Sequence, residues 1–292
     1  MDKSESGLNF SQRIGRKPAS KEIQLNEMDI ELRNGLWNLI KLYYLDPVRN
    51  NRSDPTFLMF NSFANALWHS FFKLPIDTIG QNSQAEQYIR LRYFKFEWNN
   101  VYDFIEFLLS IKYDNTLRRE FIKAVNLLLE IEFSGYRIIN GIFAPITNSL
   151  EFTEVSDAIS KTNNLSALQG ANIHLNNALS LVSDKQNPNY RNSIKESISA
   201  VEATCRIITG ENTLGTALDK LETKGLKINK ELKAGFDKIY AYTNSKGSGI
   251  RHAIVIQPIE PDFYDAKYML ISCSSFINYL IGKADKIGIK IE

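Results

Sequence analysis

Residues Asn192–Ile208 read NSIKESISAVEATCRII, and this stretch decides the fold class. Ile194, Ile198, Val201, Cys205 and Ile208 recur at steps of four, three, four and three, which places them on one face of an α-helix. Gly210 follows as a stop signal, because glycine accepts the left-handed conformation in which helices commonly end. A second stripe, Lys195, Ser199, Glu202 and Arg206, lies about 100° round the same helix. Two readings of it stand side by side: a solvated face with a Glu202–Arg206 i,i+4 pair, or the polar wall of a site.

The same periodicity extends outward in both directions. Leu32, Leu36, Leu39, Ile40 and Tyr43 predict a helix over Asp29–Tyr44 that Asp46-Pro47 should end, since a residue before proline avoids the helical region. Further helices are expected over about 55–72 (Phe57, Phe60, Ala64, Leu67, Phe71), 98–111 and 115–133. The period then changes. Tyr136 to Ile146 holds two short β-rich runs about Asn140-Gly141, a pair suited to a tight hairpin turn, with Pro145 marking an edge strand. Residues 148–165 read as a connection with a short helix from Thr153. Helices over about 165–183, 192–208, 214–223 and 229–242 follow, and Asp262 or Asp265 starts a last one reaching about Ile281. The fold class is mostly α, with one small β-hairpin closing the first half.

Composition narrows the function. Of 292 residues, 43% are apolar and 11% aromatic, enough for a packed core, and the formal net charge of +2 argues against bulk coating of nucleic acid. A small basic cluster, Arg13, Arg16, Lys17 and Lys21, has two readings, an arm docked on its own domain or an arm that contacts phosphate, and Glu22 and Glu27, which dilute its charge, favour the first. Cys205 and Cys273 are isolated within apolar helical patterns and read as buried thiols in a reducing compartment. The N-terminus is polar, and the longest uncharged run, between Lys267 and Lys283, is shorter than the ~20 residues of a membrane span. A soluble cytoplasmic protein without a membrane partner is expected.

Chemistry is expected at Gly249-Ile250-Arg251-His252-Ala253. A glycine-rich loop here presents a permanent cation beside a titratable imidazole. Arginine can grip phosphate oxygens bidentately, and a histidine with a pKa near ~6.5 can move a proton at neutral pH. RNA supplies its own nucleophile in the 2′-hydroxyl, so no metal or cofactor is called for. Lys246 adds charge, Tyr240 a stacking surface, and Lys195 and Arg206 further cations on the facing helix. The other two of the three histidines, His69 and His174, stand among apolar or amide residues with no evident partner. Phosphate-loop, dinucleotide, GxSxG and HExxH motifs are absent, and no His or Cys cluster has metal-ligand spacing.

The first half resembles the type 4 N-terminal domain of AbiJ-like abortive-infection proteins. The resemblance is carried by Phe10–Gly15, Ile23-Gln24, Leu32–Asn38, Phe71–Asp77, Trp98–Phe107 and the 136–146 hairpin. The second half is similar to HEPN domains, helical bundles found in phage-defence and toxin systems. The resemblance implies domains at 1–147 and 166–292 joined by 148–165, RNA as partner, and a homodimer through the C-terminal domain. It implies catalytic roles for Arg251, as the arginine of an R-x(4–6)-H motif, and for Glu202, as the acidic residue of an earlier helix. The window after Arg251 holds Ile256, Gln257 and Pro258, and His252 stands in the motif's variable polar position. Either His252 takes over proton transfer, or the domain binds RNA, a nucleotide or a protein without cutting.

Overall fold

The computed structural model describes residues 23–46, 60–111, 115–184, 187, 189–211, 214–225, 227–245, 250 and 260–291. The basic cluster from Arg13 to Lys21, the Phe10–Gly15 segment, the expected helix start with Phe57, and Lys246, Arg251 and His252 lie outside these residues. The chain divides into two compact units, Met1–Thr147 and Asn148–Glu292. Among the described residues the fold is helical apart from one two-stranded antiparallel sheet.

In the first unit, α1 (Ile30–Ile40) is capped by Asp29, whose carboxylate accepts from the Leu32 amide. It runs on as a π-helical turn over Lys41–Leu45, and Asp46 keeps helical dihedrals of −69° and −44°. Asp46 is the cap that follows this turn, and Pro47 of the expected stop lies outside the described residues. Next come α2 (Phe60–Ala66), also extended by a π-turn over Leu67–Phe72, then α3 (Asn82–Tyr93), α4 (Trp98–Ser110) and α5 (Asn115–Ile131). Helix α3 is absent from the periodicity reading because it buries only Ala85, Ile89 and Tyr93 in an otherwise polar segment. The core is aromatic: Tyr44, Phe63, Tyr93, Phe104 and Phe121 are fully buried, and Tyr44 meets Phe121 edge-on at 5.0 Å. Tyr93 satisfies its hydroxyl by donating to the Arg33 carbonyl at 2.9 Å, and Arg33 in turn donates to the Phe96 carbonyl at 2.8 Å.

Strands β1 (Arg137–Ile139) and β2 (Ile142–Ala144) form the expected hairpin, with Ile138 opposite Phe143. Asn140 and Gly141 take φ of 49° and 86°, the positive pair that a two-residue primed turn demands. Alternate residues of an antiparallel ladder turn their amide and carbonyl groups outward, and here helices receive them. The Asn126 side chain of α5 accepts from the Ile138 amide at 2.7 Å and donates to its carbonyl at 2.9 Å, imitating a third strand. On the other edge the Phe143 amide donates to Glu106 of α4 at 2.6 Å. Burial pushes the Glu106 carboxyl above the ordinary range, partly offset by that hydrogen bond. Gln24 joins the chain ahead of α1 to the end of α5, donating its amide to the Phe133 carbonyl and accepting from Gly135, both at 2.9 Å. A Cβ at Gly135 would come within 3.1 Å of the Gln24 carbonyl oxygen, a close approach that glycine eases.

The second unit contains α6 (Ser149–Asn164), α7 (Gln169–Ser183), α8 (Tyr190–Thr209), α9 (Leu214–Thr223), α10 (Lys230–Asn244) and α11 (Phe263–Lys286). Helix α6, expected as a short helix within a connection, has sixteen residues and buries Val155, Ala158, Ile159 and Thr162. It is tied to α11 through Asn278, which donates to the Glu154 carbonyl at 2.9 Å and accepts from Lys161 at 3.1 Å. Asp262 caps α11 in a capping box with Asp265. The helix passes the expected end at Ile281 because Ala284, fully buried, continues the stripe of Ile277 and Leu280. Helix α8 is central to the bundle, packing on α7, α9, α10 and α11. Its buried half includes Ser193, Ser197 and Thr204 beside the apolar stripe. The Ser193 hydroxyl donates to the Ala178 carbonyl of α7 at 2.8 Å, and those of Ser197 and Thr204 donate to carbonyls one turn back. Gly210 ends the helix at φ 80°, as the sequence reading has it.

Candidate functional site

The predicted polar stripe is present on the open side of α8. Lys195 and Arg206 are exposed, while Ser199 and Glu202 are half-buried. The Ser199 hydroxyl is used within the helix, donating to the Lys195 carbonyl at 2.8 Å. The adjoining buried flank, Ile198 and Val201, lines a small apolar hollow with Phe236 and Ile239 of α10 and Ser272, Cys273 and Phe276 of α11. Tyr240 follows Ile239 directly on α10 and is half-buried.

Arg191, which the sequence reading leaves out, extends the stripe by one turn. At 100° per residue, Arg191, Glu202, Lys195, Arg206 and Ser199 fall within about 80° of arc. Arg191 donates to Glu260 at 2.6 Å, and Glu260 is the first described residue after the segment that holds Arg251 and His252. On the other side of that segment Ile250 is buried at 5% exposure. Glu260 is thus paired with the first turn of α8, at the N-terminal end of the stripe. The structure brings Glu202, Lys195 and Arg206 onto one face, with Tyr240 on the neighbouring helix. Arg251, His252 and Lys246 fall outside the described residues.

His174 corrects the sequence reading, which leaves it without a partner. Its Nδ1 lies 2.8 Å from Glu196 Oε2, and Asn177, one turn along α7, donates to the same oxygen at 3.2 Å. Burial pushes the Glu196 carboxyl upward. The hydrogen bonds from His174 and Asn177, with the charges of His174 and Lys195, outweigh this and hold it below the ordinary carboxylate range. The pairing escapes a periodicity reading because it depends on the register of α7 against α8. His69 has Ser70 Oγ at 3.2 Å from its Nδ1 and lies in the first unit.

Cys205 and Cys273 are buried free thiols, both pushed up to about 12. Burial is the main cause in each, and for Cys205 the nearby Glu202 carboxylate adds to it. Among the described residues no group of three or more His, Cys, Asp or Glu side chains is placed to hold a metal ion, and no helix is long and apolar enough to cross a membrane.

Residues 8–161 match the family described as AbiJ N-terminal domain 4, which is more than half of the chain. The chain belongs to that family. The match takes in α1 to α5 and the hairpin and reaches into α6, ending before the helices that carry the polar stripe. No match to this AbiJ-family chain was found among curated proteins or among solved structures.

Proposed function

We propose that this AbiJ-family protein is an anti-phage abortive-infection effector whose second unit is a HEPN-like domain that cleaves RNA without a metal. The observation that supports the reading is the single polar face of α8 that bears Arg191, Lys195, Glu202 and Arg206, with Arg191 paired to Glu260 at its N-terminal end. In this reading Arg251 steadies the scissile phosphate and its developing charge. His252 takes the proton of the 2′-hydroxyl, and Glu202 orients one of the two. Lys195, Arg206 and Lys246 hold neighbouring phosphates, and Tyr240 stacks on an unpaired base. The domain works as a cytoplasmic homodimer through the second unit, so that two copies of Arg251 and His252 complete one site. Sedimentation showing only monomer at tens of micromolar would remove that part.

The test is incubation of the purified protein with total tRNA and a long RNA, with and without EDTA, beside the Arg251→Ala/His252→Ala double variant. Cleavage that survives EDTA, leaves 2′,3′-cyclic phosphate ends and vanishes in the variant is the expected result. A second reading is favoured by Ile256, Gln257 and Pro258 standing where the motif has its histidine. Here the same face binds RNA, a nucleotide or a protein without cutting. It predicts binding by a silent wild-type protein, lost on Arg251→Ala.

A further inference from the structure

His174, Asn177 and Glu196 lie on α7 and α8, on the part of the bundle surface that adjoins the polar stripe. Glu196 follows Lys195 and precedes Ser199 by one turn, so the pair borders the stripe along α8. We propose that the His174 imidazole is a proton-transferring group for RNA bound on this face, with Glu196 and Asn177 positioning its ring; the proposal rests on the RNA-cleavage reading above.

Three features of the cluster carry it. First, the ring is held by one nitrogen: Nδ1 is engaged with Glu196 at 2.8 Å, while Nε2 makes no hydrogen bond among the described residues. A ring that donates Nδ1–H to a carboxylate presents Nε2 outward, the arrangement of an oriented proton donor to a leaving group. Secondly, exposure is asymmetric. The His174 side chain is 37% exposed and Glu196 only 19%, so the carboxylate is sheltered and the imidazole open. Thirdly, the pair is not needed to join the helices. The Ser193–Ala178 hydrogen bond and the buried Leu175, Leu179, Ile194 and Ile198 already do so. Asn177 adds a second donor to Glu196 Oε2, which fixes the carboxylate and leaves the ring one orientation.

The step balances without a further reactant. His252 takes the proton of a 2′-hydroxyl, as above, and the 2′-oxygen forms a bond to phosphorus. The bond from phosphorus to the 5′-oxygen breaks, and that oxygen takes a proton from Nε2 of protonated His174; water then returns the proton from His252 to His174. The products are a 2′,3′-cyclic phosphate and a free 5′-hydroxyl. Lys195 supplies a cation beside the developing charge.

The experiment compares single-turnover RNA cleavage by the full-length wild type with His174→Ala, Glu196→Gln and, as a neighbouring exposed position, Ile173→Ala. A positioned general acid contributes typically ~100-fold or more, so His174→Ala should lose at least about 100-fold. Added imidazole should restore part of the loss, which no merely structural role predicts. Glu196→Gln should lower kcat with KM unchanged, and Ile173→Ala should match the wild type. If the wild type cleaves, the Arg251→Ala/His252→Ala variant is silent and His174→Ala stays within about threefold of wild type, this proposal falls while the RNA-cleavage reading stands. If the wild type cleaves nothing, that reading falls and takes this one with it.

Discussion

Replacing Asn126 with alanine tests how the hairpin is held in the first unit. Ile138 is 1% exposed, and its outward amide and carbonyl are both taken by the Asn126 side chain, at 2.7 and 2.9 Å. Alanine removes both partners and leaves two backbone groups shut away from water, at about 1–3 kcal/mol each. Alanine is the better helix former, which returns about 0.5 kcal/mol. A net loss of about 1.5–5.5 kcal/mol is expected, which at a urea slope of ~2 kcal/mol per molar moves the midpoint down by about 1–3 M. The assay is urea unfolding followed by tryptophan fluorescence. All three tryptophans, Trp37, Trp68 and Trp98, lie in the first unit, so the signal reports on that unit alone. Leu127→Ala, at a neighbouring position 60% exposed, is the control and should change little. Asn126→Asp keeps an acceptor for the Ile138 amide but sets a carboxylate against its carbonyl, and should also destabilise. A loss below about 0.5 kcal/mol in Asn126→Ala would refute the claim that this side chain stands in for a strand.

Gly141→Val should cost the hairpin about 1–2 kcal/mol, because φ is 86° there and a branched side chain is strained in the left-handed region; unchanged fluorescence-monitored stability would contradict the turn geometry. Cys205 and Cys273, their thiols pushed up to about 12, should resist a thiol reagent at neutral pH until the protein is unfolded. Since the fold favours the protonated thiols, their contribution to stability is complete below the ordinary thiol pKa of 9.0 and should fall away as pH rises from there towards 12. Rapid labelling of both thiols in the native protein would place them elsewhere than the bundle core.

Much of this fold is written locally. The stripes Leu32–Leu36–Ile40 and Ile194–Ile198–Val201–Cys205–Ile208 mark helices because positions three and four apart share a face whatever lies opposite. Asp29 and Asp262 mark starts and Gly210 an end, since capping involves only the adjoining turn. Asn140-Gly141 marks the hairpin through its own dihedral preferences. Where the local signal is weak, reading stops short. Helix α3 buries three residues in twelve, and α6 lies among polar residues whose burial depends on α11.

The amino-acid sequence alone determined the helices other than α3 and the full length of α6, the hairpin, the family and the polar stripe of Lys195, Glu202 and Arg206, because each is a pattern within one element or one motif. Tertiary structure alone decided that Arg191 meets Glu260, that His174 meets Glu196, and that Asn126 and Glu106 complete the hairpin edges. Those partners are 69, 22, 12 and 37 residues apart. A side chain reaches only a few ångströms, so which distant residue it finds is set by the register in which buried faces pack.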